Sequence, residues 1–194
     1  MGRYHFYSQL ITAMLQLNFS PFPELTTGRL LLRQLIAADA NAISELRSNA
    51  TVNQYLDRAK TTSIAEAAQF IEKINDSISR NQSLYWVITL EENNHLLGTI
   101  CMWNINTEED TAEIGYELHP DHQGKGIMQE AMKAVIDFGF NVVQLKIITA
   151  FTLPENIASV RSLKRHGFIL DTSGKYADPN EQGDSPYIIY ELRK

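Results

Sequence analysis

Between Ala112 and Ala131 the chain changes its hydrophobic period from two to about 3.6, and glycine punctuates the change. Ala112-Glu113-Ile114-Gly115-Tyr116-Glu117-Leu118 alternates and reads as a strand. Ile127, Ala131, Val135 and Phe138, flanked by Met128 and Met132, repeat at helical spacing. Between them lies His119-Pro120-Asp121-His122-Gln123-Gly124-Lys125-Gly126. Gly124 and Gly126 remove side chains where the backbone must curl or be approached closely. The first N–H groups of the helix have no intrahelical acceptor and point past its end. Such a mouth suits an anionic group, phosphate above all. A tight turn alone would also use two glycines. The chain has neither the glycine-lysine run of a triphosphate loop nor a Gly-x-Gly-x-x-Gly after a first strand, so those two nucleotide sites are disfavoured.

Composition sets the limits around this stretch. With 194 residues, 44% hydrophobic and 21% charged, the chain is sized for one well-buried domain. Residues 1–20 read as an N-terminal extension, with Met14 as an alternative start, and residues 21–194 as a single domain. A net charge of −6 without a basic block argues against nucleic acid as partner. The single cysteine, Cys101, sits in the apolar run Leu96 to Trp103, excludes an internal disulfide and reads as a buried strand residue. The five histidines lack metal-ligand spacing, so no metal is expected. No run reaches membrane-spanning length, and the aromatic and polar start makes a poor signal peptide, which points to a cytoplasmic protein and no membrane partner.

Taken in order, Phe22 to Gly28 is turn-rich, and Arg29 to Leu35 reads as a strand. Asp39 is expected to cap a short helix that buries Ile43 and Leu46 and ends near Asn49. Ser63-Ile64-Ala65-Glu66 is a capping box that opens a second helix with Ile64, Ala67, Ala68, Ile71, Ile74 and Ile78 on one face. Both helices read as core cover. Leu84 to Leu90 and Leu96 to Trp103 form a hairpin across the five residues 91–95, and the strand ending in Leu118 follows as their antiparallel neighbour. After the central helix, Leu145 to Phe151 is a strand reached by a crossover, hence parallel to Ala112 to Leu118. Asn156 opens a helix through Ile157, Val160 and Leu163 that stops at Gly167. Phe168 to Leu170 and Tyr187 to Leu192 are the last strands. The expected fold is α/β in the mixed, α+β sense: a central, mostly antiparallel sheet of about seven strands with helices on both faces.

Gln123-x-x-Gly126 followed by a helix resembles the acyl-CoA pyrophosphate loop of the GNAT-type N-acetyltransferases. Met128 departs from that pattern, which has a small residue there. Three further segments resemble the RimJ/RimL-like branch that acetylates ribosomal-protein N-termini: Thr27 to Arg33, Ala112 to Tyr116, and Asn156 to Leu163 with Gly167-Phe168. Together they span about Thr27 to Lys194. The resemblance implies acetyl-CoA as co-substrate, with no metal. The cofactor-binding set it implies is Leu118, whose neighbourhood supplies a backbone N–H for the thioester oxygen, then Gln123, Gly124, Lys125, Gly126, Ile127 and Met128 for the pyrophosphate, and Asn156. It further implies that the two parallel strands splay to admit the pantetheine arm.

Acetyl transfer to an amine needs a base for the amine, donors for the thioester oxygen and a proton for the departing thiolate. The resemblance suggests Ser159 as the acid, because the tyrosine many relatives carry seven residues after the helix-opening asparagine is here Leu163. The plain alternative is an exposed first-turn serine. Asn156 reads as helix cap, as a partner of pantetheine or substrate, or as both. Glu113 is the leading base and Glu117, on the same face, the runner-up. Phe151 stands where some relatives carry a catalytic glutamate. Tyr116, Trp86, Tyr85 and Asp184 are candidates to line the acceptor pocket. The catalytic set is therefore Ser159, Glu113 and Asn156. The expected acceptor is a primary amine, possibly a protein N-terminal amine, acetylated by a monomer or homodimer through direct attack in a ternary complex. A polyamine or aminoglycoside-like small amine is the alternative, and a non-catalytic acyl-CoA-binding sensor is the reading from another class.

Overall fold

The computed structural model describes residues 15–58, 60–61, 63–176 and 185–194. Among these residues eight strands form one sheet: β1 (Leu25–Thr26), β2 (Leu30–Gln34), β3 (Leu84–Leu90), β4 (Asn93–Asn106), β5 (Thr111–Leu118), β6 (Ile147–Thr152), β7 (Ile169–Leu170) and β8 (Ile188–Arg193). Their spatial order is β1-β2-β3-β4-β5-β6-β8-β7, and every neighbouring pair is antiparallel except β5 with β6. Among the described residues, four α-helices accompany the sheet: α1 (Ala40–Ser48), α2 (Ile64–Ser79), α3 (Ile127–Phe138) and α4 (Ile157–Arg165). The mostly antiparallel mixed sheet is the one expected. The eighth strand is β1, two residues hidden in the turn-rich lead, where Leu25 and Thr26 pair with Leu32 and Leu31.

Two consecutive residues of β3 show how the helices are layered, since neighbours on a strand point to opposite faces. Tyr85 packs edge-on against Phe70 of α2, with ring centroids 5.7 Å apart. Trp86, fully buried, packs edge-on against Phe138 of α3 at 5.7 Å. So α2, with α1 against it, covers one face, and α3 covers the other. Ile43, Leu46, Ala67, Ile71 and Ile78 are buried as their spacing requires, whereas Ile64, expected on the same stripe, is exposed. At the first turn of α2, Ser63 Oγ accepts from Glu66 N (3.2 Å), as a capping residue should.

Asp39 does not cap α1. Its carboxylate accepts two 2.8 Å bonds from the Arg33 guanidinium and one from Ile36 N (2.9 Å), a buried ion pair that ties the end of β2 to the turn before α1. A forked guanidinium outbids lone backbone amides for a carboxylate. The β3–β4 hairpin is also tighter than expected. Leu90 pairs with Asn93, so only residues 91 and 92 turn, and the polar residues 93–95 belong to an exposed end of β4. Upstream, Leu15 and Leu17 pack against the core and Phe19 is buried, its N–H donated to Asn81 Oδ1 (2.8 Å), so packed chain begins before residue 21. The extension before Leu15 lies outside the described residues. Among the described residues, no helix is long and apolar enough to cross a membrane.

Gly98 fixes how closely β4 and β5 approach. It lies opposite Leu118, and a Cβ there would fall 2.4 Å from the Glu117 carbonyl oxygen and 2.9 Å from Leu118 Cα. Both obstacles are backbone, so neither can swing aside. Gly98→Ala is expected to destabilise the fold by about 1–3 kcal/mol and to displace the end of β5. Urea unfolding compared with the native chain measures this.

Candidate active site

β5 and β6 pair only at Thr111–Ile147, Ala112–Ile148 and Glu113–Thr149. β5 continues to Leu118 and β6 to Thr152 without further pairing between them, while β4 and β8 stay bonded to their outer edges. The two parallel strands therefore part from Glu113 onward, the splay that the resemblance implies. A cavity of about 920 Å³ opens there, reaching from Arg47 and Phe70 in the α1/α2 layer to Asn156 and Ser159 at the start of α4.

The end of β5 carries the loop. His119 N donates across the ladder to Leu97 O (2.9 Å). By the alternation of an antiparallel pair, the Leu118 N–H and carbonyl then face away from β4, towards the gap. Gln123 Nε2 donates to the Leu118 carbonyl (3.1 Å), which folds the loop back on the strand end. Gly124 and Gly126 both have φ of 73°, the left-handed region that glycine enters freely. Gly126 precedes α3 with no side-chain cap. The first helical bond runs from Glu130 N to Gly126 O (3.2 Å). Among the described residues, the amides from Gly124 to Gln129 meet no protein acceptor. That run of bare N–H groups at a helix start, on an exposed loop, is built to take an anion.

Met128 does not obstruct this mouth, because its side chain is buried in the core under α3. The loop is anchored from β2's approach. Thr27 Oγ1 donates to Glu130 Oε1 (2.5 Å), Arg29 Nε to Glu130 Oε2 (2.6 Å), and Arg29 Nη2 to the Lys125 carbonyl (2.9 Å). Partial burial would raise the Glu130 carboxyl, but these bonds outweigh it and hold the group below its ordinary range. The sequence offered no sign of this anchor, since its partners lie about a hundred residues apart.

Glu113 stands at the fork, on the face covered by α2 and one residue pair before the strands part. Burial pushes its carboxyl up to about 7, against hydrogen bonds from Asn104 Nδ2 (3.1 Å) and Trp103. Glu117, on the same face, is differently placed. Its Oε2 accepts from Arg58 Nη2 at 2.5 Å and its Oε1 from Thr99 Oγ1 at 3.2 Å, with Tyr85 OH donating to Thr99 (3.0 Å). Glu117 is thereby tied to Arg58 and Thr99, and Glu113 is the carboxyl that stands at the fork itself.

On the opposite face Tyr116 reaches α4. Its hydroxyl and the Ser159 hydroxyl are hydrogen-bonded at 2.9 Å. Burial pushes the phenol up to about 12, against the Ser159 hydrogen bond. Asn156 Oδ1 accepts from Ser159 N (3.1 Å), so Asn156 is the cap of α4, while its amide nitrogen meets no acceptor among the described residues. Leu163 is fully buried and its position offers no group to the gap. The cavity thus brings Glu113, Tyr116, Asn156 and Ser159 together, with Leu118 and the loop at the end of the same strand.

Tyr85 and Tyr116 line the cavity as expected. Trp86 does not: it faces the core on the α3 side and donates Nε1–H to the Pro23 carbonyl (2.7 Å). Asp184 lies outside the described residues. Cys101 borders the cavity, its thiol donating to the Gly115 carbonyl (3.5 Å) and pushed up to about 12 by burial, the opposite of a nucleophile's setting. Arg47 and Phe70 also line the cavity, so α1 and α2 do more than cover the core.

Comparison with known proteins agrees with this geometry. The sequence model of the acetyltransferase (GNAT) domain matches residues 29–169. The uncharacterized N-acetyltransferase YoaA of Bacillus subtilis is 34% identical over 175 residues, covering 89% of this chain and 98% of its own. The spermidine N(1)-acetyltransferase of Vibrio cholerae is 25% identical over 143 residues, 73% of this chain and 80% of that one. The solved structure of RimL, a ribosomal L7/L12 alpha-N-protein acetyltransferase in complex with coenzyme A, superposes with a TM-score of 0.76 at 21% identity, covering 88% of this chain and 98% of that one. A parting pair of parallel strands, a bare-amide loop at the end of one of them and a matching domain sequence all lead to one assignment: the chain belongs to the GNAT family of acetyltransferases.

Proposed function

We propose that the chain carries an acetyl group from acetyl-CoA to the amine of a protein or peptide N-terminus, by direct attack within a ternary complex. The reading rests on the fork between β5 and β6, which places a carboxyl on one face and two linked hydroxyls on the other. The amides of residues 124–129 hold the pyrophosphate, and the arm lies in the gap beside Leu118, whose N–H receives the thioester oxygen. Preorganised backbone donors meet the growing charge without reorganising.

The acceptor enters from the α1/α2 face. Glu113, with its proton affinity near neutrality, takes the amine's proton directly or through one water. Nitrogen attacks the carbonyl carbon, the C–S bond breaks, and the thiolate accepts a hydrogen bond from Ser159, which is supplied in turn by Tyr116. A phenol held near 12 stays protonated and acts as a donor at every working pH. These groups stand in for the tyrosine replaced by Leu163 and the glutamate replaced by Phe151, and this favours an enzyme over a bare acyl-CoA sensor.

The charge of the cavity bears on the acceptor. A polyamine needs an excess of carboxylates, but here Arg47, Arg58 and Lys73 stand against Asp57, Glu113 and Glu117. Ser159→Ala is expected to lower kcat by about 10- to 100-fold with CoA affinity unchanged. Tyr116→Phe should act through the same donor chain, so the double variant loses less than the sum. Thiol release followed with a panel of N-terminal peptides and small amines tests the whole reading; tight CoA binding without turnover on any of them would sink it in favour of the sensor.

A further inference from the structure

On the α1/α2 face of the cavity two guanidiniums, Arg47 and Arg58, stand near one carboxylate, Glu117, and only Arg58 is paired with it. Arg58 is spoken for: its Nη2 donates to Glu117 and its Nε to the buried Asn53 (2.9 Å), which is itself held by the Arg47 and Asn49 carbonyls at 2.8 Å. Arg47, in the last turn of α1, is fixed just as firmly but not neutralised. Its Nε donates to the buried Thr61 hydroxyl (3.0 Å), and its guanidinium carbon lies 4.0 Å above the centre of the Phe70 ring. Among the described residues no carboxylate comes within 4 Å of it, and its terminal nitrogens donate to no protein atom. Asp57, which also borders the cavity, is exposed and pairs with none of these residues.

We infer that Arg47, supported by Arg58, is the receptor for a carboxylate carried by the acceptor amine. The inference rests on the acetyl-transfer reading and names the substrate class for it: amines bearing an acid group, such as peptides with Asp or Glu beside the N-terminus. Stacking on Phe70 and the Thr61 bond hold Arg47 at the cavity wall with its terminal nitrogens unpartnered, and a planar guanidinium fork takes a carboxylate through two parallel bonds. Burial, then the like charge of Arg58, lower the Arg47 pKa, and Glu117 only partly opposes them. An incoming anion relieves that imbalance, whereas a polycation aggravates it.

The test compares matched acceptors with full-length protein and saturating acetyl-CoA. Ser-Asp and Ser-Glu, blocked as C-terminal amides, are set against Ser-Asn and Ser-Gln blocked alike. In the native chain the acids should exceed the amides about 10- to 100-fold in kcat/KM, chiefly through KM. In Arg47→Gln that ratio should fall to about one, and Arg47→Lys, which keeps charge without the fork, should retain part of it. CoA affinity of each variant, read by calorimetry, reports an intact fold, because Arg47 bonds to none of residues 123–129. A ratio of about one in the native chain, or one that survives in Arg47→Gln, overturns the inference. If no amine is acetylated, the acetyl-transfer reading falls, and the subsite is then judged by calorimetry with the N-acetylated peptides in CoA-saturated protein. Tighter binding of the acids, lost in Arg47→Gln, keeps it; equal binding removes it.

Discussion

Glu113→Gln is expected to lower kcat/KM by about two to four powers of ten while making the protein harder to unfold. The two effects share one cause. Burial lifts the Glu113 carboxyl from 4.5 to about 7, so the folded state holds this proton more tightly than the unfolded chain does. Its contribution to stability is fully present below about 4.5 and is lost as the pH rises through about 7. Glutamine is neutral throughout and escapes that loss. At pH about 8 the variant should be more stable by roughly 2–3 kcal/mol, and at pH about 4 the two should unfold alike. Thermal unfolding at both pH values, alongside steady-state rates, makes the comparison. Activity of the native chain should rise with pH through about 7 as the base is freed, and the variant should lack that limb. A variant both inactive and less stable at pH about 8 would remove Glu113 from the role of a buried base.

Gly126→Glu should abolish measurable CoA binding, at least about a hundredfold in Kd. Three terms add in the same direction. At φ of 73° any side chain strains the backbone, by about 1–2 kcal/mol. The new Cβ lies 3.2 Å from Arg29 Nη2, crowding the group that holds the Lys125 carbonyl. A carboxylate among the bare amides of residues 124–129 then competes with and repels a diphosphate. Gly126→Ala carries only the strain and the crowding, so calorimetry of the pair separates charge from shape. Near-native affinity in Gly126→Glu would place the pyrophosphate elsewhere.

Much of this was legible in the sequence because it is local. The strand, glycine turn and helix from Ala112 onward follow from a change of period and two glycines. The caps Ser63 and Asn156, the stop at Gly167 and the parallel crossover to β6 follow from neighbours a few residues away. The sequence was silent where function depends on pairs far apart. Tyr116 meets Ser159 across 43 residues, Arg58 meets Glu117 across 59, and Arg29 meets Glu130 across 101. Competition between side chains explains the misreading of Asp39, which reads as a cap until the forked guanidinium of Arg33, only six residues back, claims it. The short β1 had too few residues to show an alternation at all.

The sheet is stitched between β5 and β6 at one end only, by the residue pairs that end at Glu113 and Thr149. It therefore behaves as two ribbons, β1 to β5 and β6 with β8 and β7, sharing a single short seam. A pantetheine arm laid along that opening would serve as a removable rung, and the protein would be stiffer loaded than empty. Product departure would then mean withdrawing a structural member, and the tempo of release would follow how readily the ribbons tolerate standing apart.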